Sequence, residues 1–297
     1  MTRYLILDTT YLAHKARFST GSLKFDGNPT GVAFGVLRDI EKFLEIYAPC
    51  TCVFAFDWGG PGFRGALSKT YKISRSNQKD LYGNWVPKPM TFAEEEEQKL
   101  FHEQCKTLYR EILPNMGFKN IFRVKGFEGD DIIAKVAEDL PMSDEGVMIT
   151  GDHDMWQCLR SNVSWHAPSS GVVTFASFQA EWGLYPFQWA MVKSIAGCSS
   201  DDVEGVPGVG EKTAAKFILG KLKTDSKKYK DIESNLELMR RNKPLVTLPF
   251  YDTPSFTILP DEYDQDKKRT VYLSLGIQSD RRAKSKRGDT GFKGFDL

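Results

Sequence analysis

The chain reads as an α/β protein whose central, mostly parallel sheet is flanked by helices and followed by a helical C-terminal region. Three observations predict this. Short apolar runs without polar alternation mark strands buried on both faces, the pattern of parallel sheets. Helical patterns separate those runs, and strands alternating with helices imply crossover connections and a layered core. From about residue 186 the strand signals stop and helical ones take over.

Residues 4–8 open the sheet, with Tyr4-Leu5-Ile6-Leu7 running into Asp8. A helix is predicted over 32–47, where Val32, Val36, Ile40, Phe43 and Leu44 fall at helical spacing. Strand 52–56 follows, then Asp57 and a glycine-rich turn, Trp58-Gly59-Gly60-Pro61-Gly62. The stretch 63–92 has no apolar face and mixes basic, polar and aromatic residues, which predicts a solvent-facing excursion. Residues 93–113 form a helix whose first acids, Glu94 to Glu97, suit the helix dipole. Strand 120–124 leads into Glu128-Gly129-Asp130-Asp131 and a helix over 131–140. Strand 146–150 leads into Gly151-Asp152-His153-Asp154, and a β segment at 171–175 completes the sheet. Beyond it come helix 187–196, a glycine hairpin at 203–210, helices 211–219 and 231–241, and a proline-punctuated extended stretch at 244–260. The expected divisions are an α/β core over 1–185, a helical region over 186–280 and a basic, mobile tail over 281–297.

Composition bounds the function. With 297 residues, 41% hydrophobic and 27% charged, the chain can bury a large core. No apolar run approaches the roughly 18 residues that span a bilayer. The N-terminus runs directly into a strand pattern without a signal peptide, and nothing of a further domain follows residue 297, which predicts a free-standing monomer. Five cysteines without Cys-x-x-Cys spacing suit a reducing cytoplasm and argue against structural zinc. The net charge of +1 conceals segregation: residues 64–88 carry Arg64, Lys69, Lys72, Arg75, Lys79 and Lys88 against Asp80 alone. A basic stretch beside an acidic centre keeps the total near zero and still binds phosphates.

The acids carry the chemistry. They follow three separate strands, and in such sheets ligands lie beyond the carboxyl ends of the strands. Packed carboxylates repel one another unless a hard divalent cation neutralises them. One acid would suffice to cap helix 131–140, which leaves three acids within four residues unexplained. In the 151–154 turn Asp152 and Asp154 face one side, which turns His153 away into a supporting or surface role. Val206-Pro207-Gly208-Val209-Gly210 places glycines where backbone must approach something closely. The helix that starts at Glu211-Lys212-Thr213 favours an anion at its N-terminus, with Lys212 and Lys216 on one face. Together these features predict a two-metal phosphodiesterase acting on nucleic acid.

The same residues resemble a family. Ser199-Ser200-Asp201-Asp202-Val203-Glu204-Gly205-Val206-Pro207-Gly208-Val209-Gly210-Glu211-Lys212-Thr213-Ala214 is similar to the helix–three-turn–helix of the 5′-nucleases, which include the nuclease domain of bacterial DNA polymerase I and free-standing phage enzymes. Leu7-Asp8-Thr9-Thr10, Phe56-Asp57, Glu128-Gly129-Asp130-Asp131 and Thr150-Gly151-Asp152-His153-Asp154 resemble the family's acidic motifs, in the family's order. Arg64 with Tyr71-Lys72-Ile73-Ser74-Arg75 resembles the base of its helical arch.

The resemblance implies a PIN-like core with an arch at about 63–92 that admits the 5′ single strand. It implies two Mg²⁺ ions, replaceable by Mn²⁺, held by Asp8, Asp57, Glu128, Asp130, Asp131, Asp152, Asp154 and Asp201. Asp57, Glu128 and Asp130 are assigned to one ion, Asp152, Asp154 and Asp201 to the other, and Asp8 and Asp131 act directly or through water. Lys72 and Arg75 are expected to offset charge on the scissile phosphate, and Asp130 is counted as catalytic with them, the acids serving to position the metals. Arg64 is expected on DNA, and Tyr71 or Tyr82 on a displaced base. Gly208, Gly210, Lys212, Thr213 and Lys216 would grip the duplex, with K⁺ at the hairpin. The implied partners are duplex DNA with a 5′ flap, nick or gap, and RNA–DNA primers in replication or repair. One departure stands out: many relatives read Gly-Asp-Ser-Ser-Asp where this chain reads Gly197-Cys198-Ser199-Ser200-Asp201. A thiol is a poor Mg²⁺ ligand, so the second ion is expected to bind more weakly. The rival expectations are a DNA-binding protein of this fold that has lost its chemistry, and a PIN-type ribonuclease, against which the hairpin argues. The tail ending Gly291-Phe292-Lys293-Gly294-Phe295-Asp296-Leu297 is read as a docking peptide for a replication protein.

Overall fold

A computed structural model describes residues 1–60 and 62–277. Six strands form the central sheet: β1 (Arg3–Asp8), β2 (Thr51–Ala55), β3 (Asn120–Phe122), β4 (Glu145–Ile149), β5 (Val163–Ala167) and β6 (Gly171–Val173). Their order is β6-β5-β4-β1-β2-β3, parallel throughout except for β6, which runs antiparallel to β5. The expected sheet is therefore present, with β1 at its centre because Leu5, Ile6 and Leu7 are apolar on both faces. One face packs against Gly129–Asp139 through Ile132, Ile133 and Val136. The other packs against Thr9–Thr20 and Gly31–Tyr47 through Leu12, Val36, Ile40 and Phe43.

Several elements escaped the sequence. Helix Thr9–Thr20 buries the small residues Thr9, Ala13 and Ala16 with Leu12, which leaves no strong apolar stripe to detect. Strand β5 alternates buried Val163, Trp165 and Ala167 with half-exposed neighbours over a span too short to stand out. Helices Phe175–Trp182 and Gln265–Ser274 are announced by capping residues, Thr174 and Asp264, more than by periodicity. The helix expected over 231–241 is two helices, Lys227–Ser234 and Leu236–Val246, broken at Asn235.

The stretch 63–92 departs from a helical arch. It holds a short helix Gly62–Leu67, a single 3₁₀ turn Ile73–Arg75, and an antiparallel hairpin pairing Asn77–Lys79 with Trp85–Pro87. The next helix, Phe92–Thr107, begins at a Thr91/Glu94 capping box. The hairpin tip is solvent-facing, with Leu81 fully exposed and Tyr82 89% exposed. The expected tail lies outside the described residues.

Candidate metal centre and nucleic-acid interface

Parallel strands bring their carboxyl ends to one edge, and the acids of three connections meet there. Asp8 ends β1 and caps helix Thr9–Thr20: one carboxylate oxygen accepts from Tyr11 N (2.9 Å) and the other from Thr150 Oγ1 (3.0 Å). Asp57 follows β2 and accepts from Gly129 N at 2.6 Å, tying the second strand to the helix that carries Asp130. Asp152 accepts from Asp154 N at 2.7 Å, so the turn after β4 is both a local cap and a source of acids. Glu128, Asp130, Asp152, Asp154 and Asp201 line one pit. Asp8 and Asp57 adjoin Asp130 closely enough to perturb it.

Seven of the eight expected acids therefore gather, and Asp131 does not. Its carboxylate is fully buried and takes Arg64 Nη1 at 2.7 Å and Nη2 at 2.8 Å. Its remaining capacity accepts from Glu128 N (3.0 Å) and Phe250 N (2.8 Å). No lone pair is left for an ion. Arg64 is only 3% exposed and also donates to Leu245 O and Thr247 O, so it cannot reach DNA. Burial opposes its charge, but the hydrogen bonds and charge of Asp131 outweigh that and hold the guanidinium more firmly protonated. Tyr71 departs likewise: it is buried, and its hydroxyl donates to Glu128 Oε2 at 3.0 Å, which removes it as a stacking surface.

Lys72 and Arg75 do face the pit. Lys72 Nζ lies 2.7 Å from Glu128 Oε1 and 3.7 Å from Asp201 Oδ1, and Arg75 Nη2 lies 2.8 Å from Asp201 Oδ1. Lys72 has φ +53°, a conformation disfavoured for a side chain with a Cβ. Two bonds hold it there: Lys72 N donates to Asp201 O (2.9 Å), and Ser74 N to the Asp202 carboxylate (2.8 Å). Asp202 itself has φ +54°. Each such conformation costs about 1–3 kcal/mol, and these bonds offset that cost.

Lys193 was missed. It sits in helix Trp189–Ala196 among buried Trp189, Val192 and Ile195, and its ammonium lies 2.8 Å from Asp154 Oδ1 and 3.0 Å from Glu211 Oε1. A charged residue inside an otherwise apolar helix face was the available signal. Burial opposes its charge too, and Asp154 more than restores it.

Asp8, Asp57, Asp130 and Asp152 have no ion-pair partner among the described residues, and the carboxyls of Asp8 and Asp130 hold their protons more tightly for it. Burial, then the charge of Asp57, pushes the Asp8 carboxyl up to about 7. Burial and the charge of Asp152 push Asp154 up to about 6, while Asp130 is held well above the ordinary carboxylate range by burial and then by Asp8. Such oxygen donors, short of positive charge, fit a hard divalent cation. The sign follows from linkage. Between the ordinary value of 3.8 and about 7, folded Asp8 keeps a proton that the unfolded chain has released. Its contribution to stability is full below the ordinary value and is lost as pH rises through about 7. In chelator, calorimetry is expected to give a higher Tm near about pH 5.5 than near about pH 8, by about 2–4 °C per kcal/mol lost. Added Mg²⁺ should erase the difference at the higher pH, and a Tm that rises with pH in chelator would contradict the charge imbalance.

The glycine hairpin is linked to this pit through Lys193, which pairs with both Asp154 and Glu211, the residue that follows Gly210. Gly208 has φ +71°, and a Cβ on either Gly208 or Gly210 would meet nothing within 4 Å, so the turn is open to an incoming ligand. Lys212 and Lys216 are exposed on the helix Glu211–Ile218, and Thr213 is half-buried.

An acidic pit at the carboxyl edge of a parallel sheet, faced by lysine and arginine, defines a metal-dependent nuclease class of site. Residues 3–183 match the profile of the 5′–3′ exonuclease, N-terminal resolvase-like domain. The chain belongs to that family. It is similar to a 5′–3′ exonuclease of Buchnera aphidicola subsp. Schizaphis graminum, 27% identical over 277 residues, covering 92% of this chain and 84% of the relative. It is also similar to the thermostable DNA polymerase I of Thermus thermophilus, 28% identical over 91% of this chain but spanning only 31% of the polymerase. Among solved structures, the T5 5′-exonuclease with divalent metal ions (zinc) bound has a TM-score of 0.68 at 22% identity, covering 83% of this chain and 90% of that one. Flap endonuclease-1 from Methanococcus jannaschii has a TM-score of 0.52 at 14% identity, covering 92% and 91%. These structural likenesses establish a shared fold.

Proposed function

We propose that this protein is a structure-specific 5′-nuclease, with 5′–3′ exonuclease and flap endonuclease activity on DNA in replication or repair. The observation that carries the reading is the gathering of five acids around one pit, with Asp8 and Asp57 adjoining Asp130 and with Lys72 and Arg75 paired to Glu128 and Asp201, near an open glycine turn. Asp8, Asp57, Glu128, Asp130, Asp152, Asp154 and Asp201 would hold two Mg²⁺ ions, or Mn²⁺ in their place, which would supply charge for activating a water and for stabilising the attacking and leaving oxygens. Lys72 and Arg75, already within reach of Glu128 and Asp201, turn to the phosphate and offset its developing charge. Gly208, Gly210 and the helix they precede bind the duplex backbone, with K⁺ at the hairpin, while the exposed Tyr82 meets the 5′ single strand. RNA–DNA primers are included as substrates, and the protein acts as a cytoplasmic monomer, its tail contacting a replication protein.

A second reading, a flap-binding protein of this fold with weakened chemistry, is favoured by Cys198 alone. Cleavage of a 5′-labelled flapped duplex across Mg²⁺ and Mn²⁺ titrations separates them. Release of short 5′ products that requires the metal supports the nuclease; binding without cleavage in either metal supports the second reading. Lys212→Ala with Lys216→Ala is expected to weaken binding on every sequence and lower the salt slope by about two, one for each phosphate no longer neutralised. An unchanged slope would remove the hairpin from the duplex grip.

A further inference from the structure

One member of the acidic pit is not an acid. The carboxylates of Asp154 and Asp201 and the Cys198 thiol each place a ligand atom within 4.8 Å of the others. Ligand atoms around a common ion lie about 3–4.5 Å apart, so the three stand close to coordination distance before any ion is present. Cys198 is 7% exposed, with Sγ 3.1 Å from Ser200 Oγ. Its backbone is fixed by a short antiparallel pairing of Gly197–Cys198 with Val203–Glu204. Gly197 has φ +78°, and a Cβ on Gly205 would meet Ala196 O at 2.0 Å, so neither glycine accepts a side chain and the backbone at Cys198 is held in place.

Asp154 Oδ1 is sealed from solvent and makes no well-aligned hydrogen bond; it faces the Lys193 ammonium at 2.8 Å. That ammonium is held a second time by Glu211 at 3.0 Å. Asp154 can therefore turn to an ion without leaving the lysine unpaired. Asp201 keeps a partner as well, Arg75 at 2.8 Å, outside the pit's floor. The donor set thus offers two hard oxygens and one soft sulfur. Sulfur ligands favour thiophilic ions, whereas Mg²⁺ favours oxygen.

We propose that Asp154, Cys198 and Asp201 form a divalent-ion site in which the Cys198 thiolate is a ligand, selecting ions such as Co²⁺, Zn²⁺ or Cd²⁺ over Mg²⁺. The proposal rests on the metal-dependent reading above and adds the ligand that sets the ion's identity at one half of the pit. Binding replaces the S–H bond by a sulfur–metal bond, and the proton leaves to solvent.

The test uses the reduced, full-length protein in metal-free buffer, titrated with Co²⁺ and separately with Cd²⁺, and reads thiolate-to-metal charge-transfer absorption. Wild type is expected to gain a one-equivalent band that is lost in Cys198→Ser and Cys198→Asp. Proton release on binding should fall by one per ion in Cys198→Ser. Calorimetry should show that Cys198→Asp moves the preference of this half-site from Cd²⁺ toward Mg²⁺. Asp154→Asn keeps the thiol and is expected to lower the Co²⁺ affinity read from the band. Absence of a band in wild type, its survival in Cys198→Ser, or unchanged affinity in Asp154→Asn would each overturn the site. A wild type that cleaves with Mg²⁺ but gives no band sinks this inference and leaves the nuclease reading standing. A band without cleavage in any metal does the reverse.

Discussion

Asp130→Ala is expected to lower cleavage of a flapped duplex by about a thousandfold, since several kcal/mol of transition-state stabilisation depends on the ions and each ~1.4 kcal/mol is tenfold. Duplex binding should survive, because the hairpin and its lysines are remote from this side chain in sequence and open to solvent. The same variant is expected to be more stable than wild type in chelator. Asp130 is buried among Asp8, Asp152 and Asp57, so near neutral pH folding must either bind a proton there or bury a repelled charge; Lys72 offsets that cost in part, and removing the carboxyl relieves it. The two effects point in opposite directions, and a folding defect cannot produce both. Wild-type turnover in the variant, or lower stability in chelator, would remove Asp130 from the centre of the pit.

Arg64→Ala is expected to lower stability by about 3–5 kcal/mol, the range for breaking a buried ion pair by removing one partner. It leaves the Asp131 carboxylate fully buried without its two short bonds, and it also strips partners from Leu245 O and Thr247 O. The guanidinium lies over the Phe250 ring at 4.9 Å, so packing is lost with the charge. At about 2–4 °C per kcal/mol the Tm should fall by more than about 6 °C. Arg64→Ala combined with Asp131→Ala should recover part of that loss, because no orphan carboxylate remains. The salt slope of DNA binding should not move. A slope lowered by about one would instead return Arg64 to the phosphate-binding role expected from sequence.

These two variants divide what could be read from the chain from what could not. Asp130 and Asp131 are neighbours in sequence and equal as acids. A helix turns successive side chains by roughly 100°, so one faces the pit and the other faces inward. Which is which depends on the segment 245–250, more than a hundred residues later, which brings Leu245 O, Thr247 O and Phe250 N to Arg64 and Asp131. No local pattern contains that information. Tyr71 shows the same limit: an aromatic in a basic stretch suggests stacking, and only packing turns its hydroxyl inward to Glu128.

The sequence by itself determined the parallel sheet, because apolar runs buried on both faces are written directly into composition. It also determined that acids placed after β1, β2 and β4 must meet, because parallel strands end on one edge. The open hairpin was legible for a similar reason: Gly208 occupies a backbone conformation that glycine adopts freely. Tertiary structure alone decided which charges pair. Lys193 enters the pit from a helix that reads as core, and Arg64 leaves the interface for the interior. Charge pairing is set by through-space distance and burial, and neither is encoded by spacing along the chain.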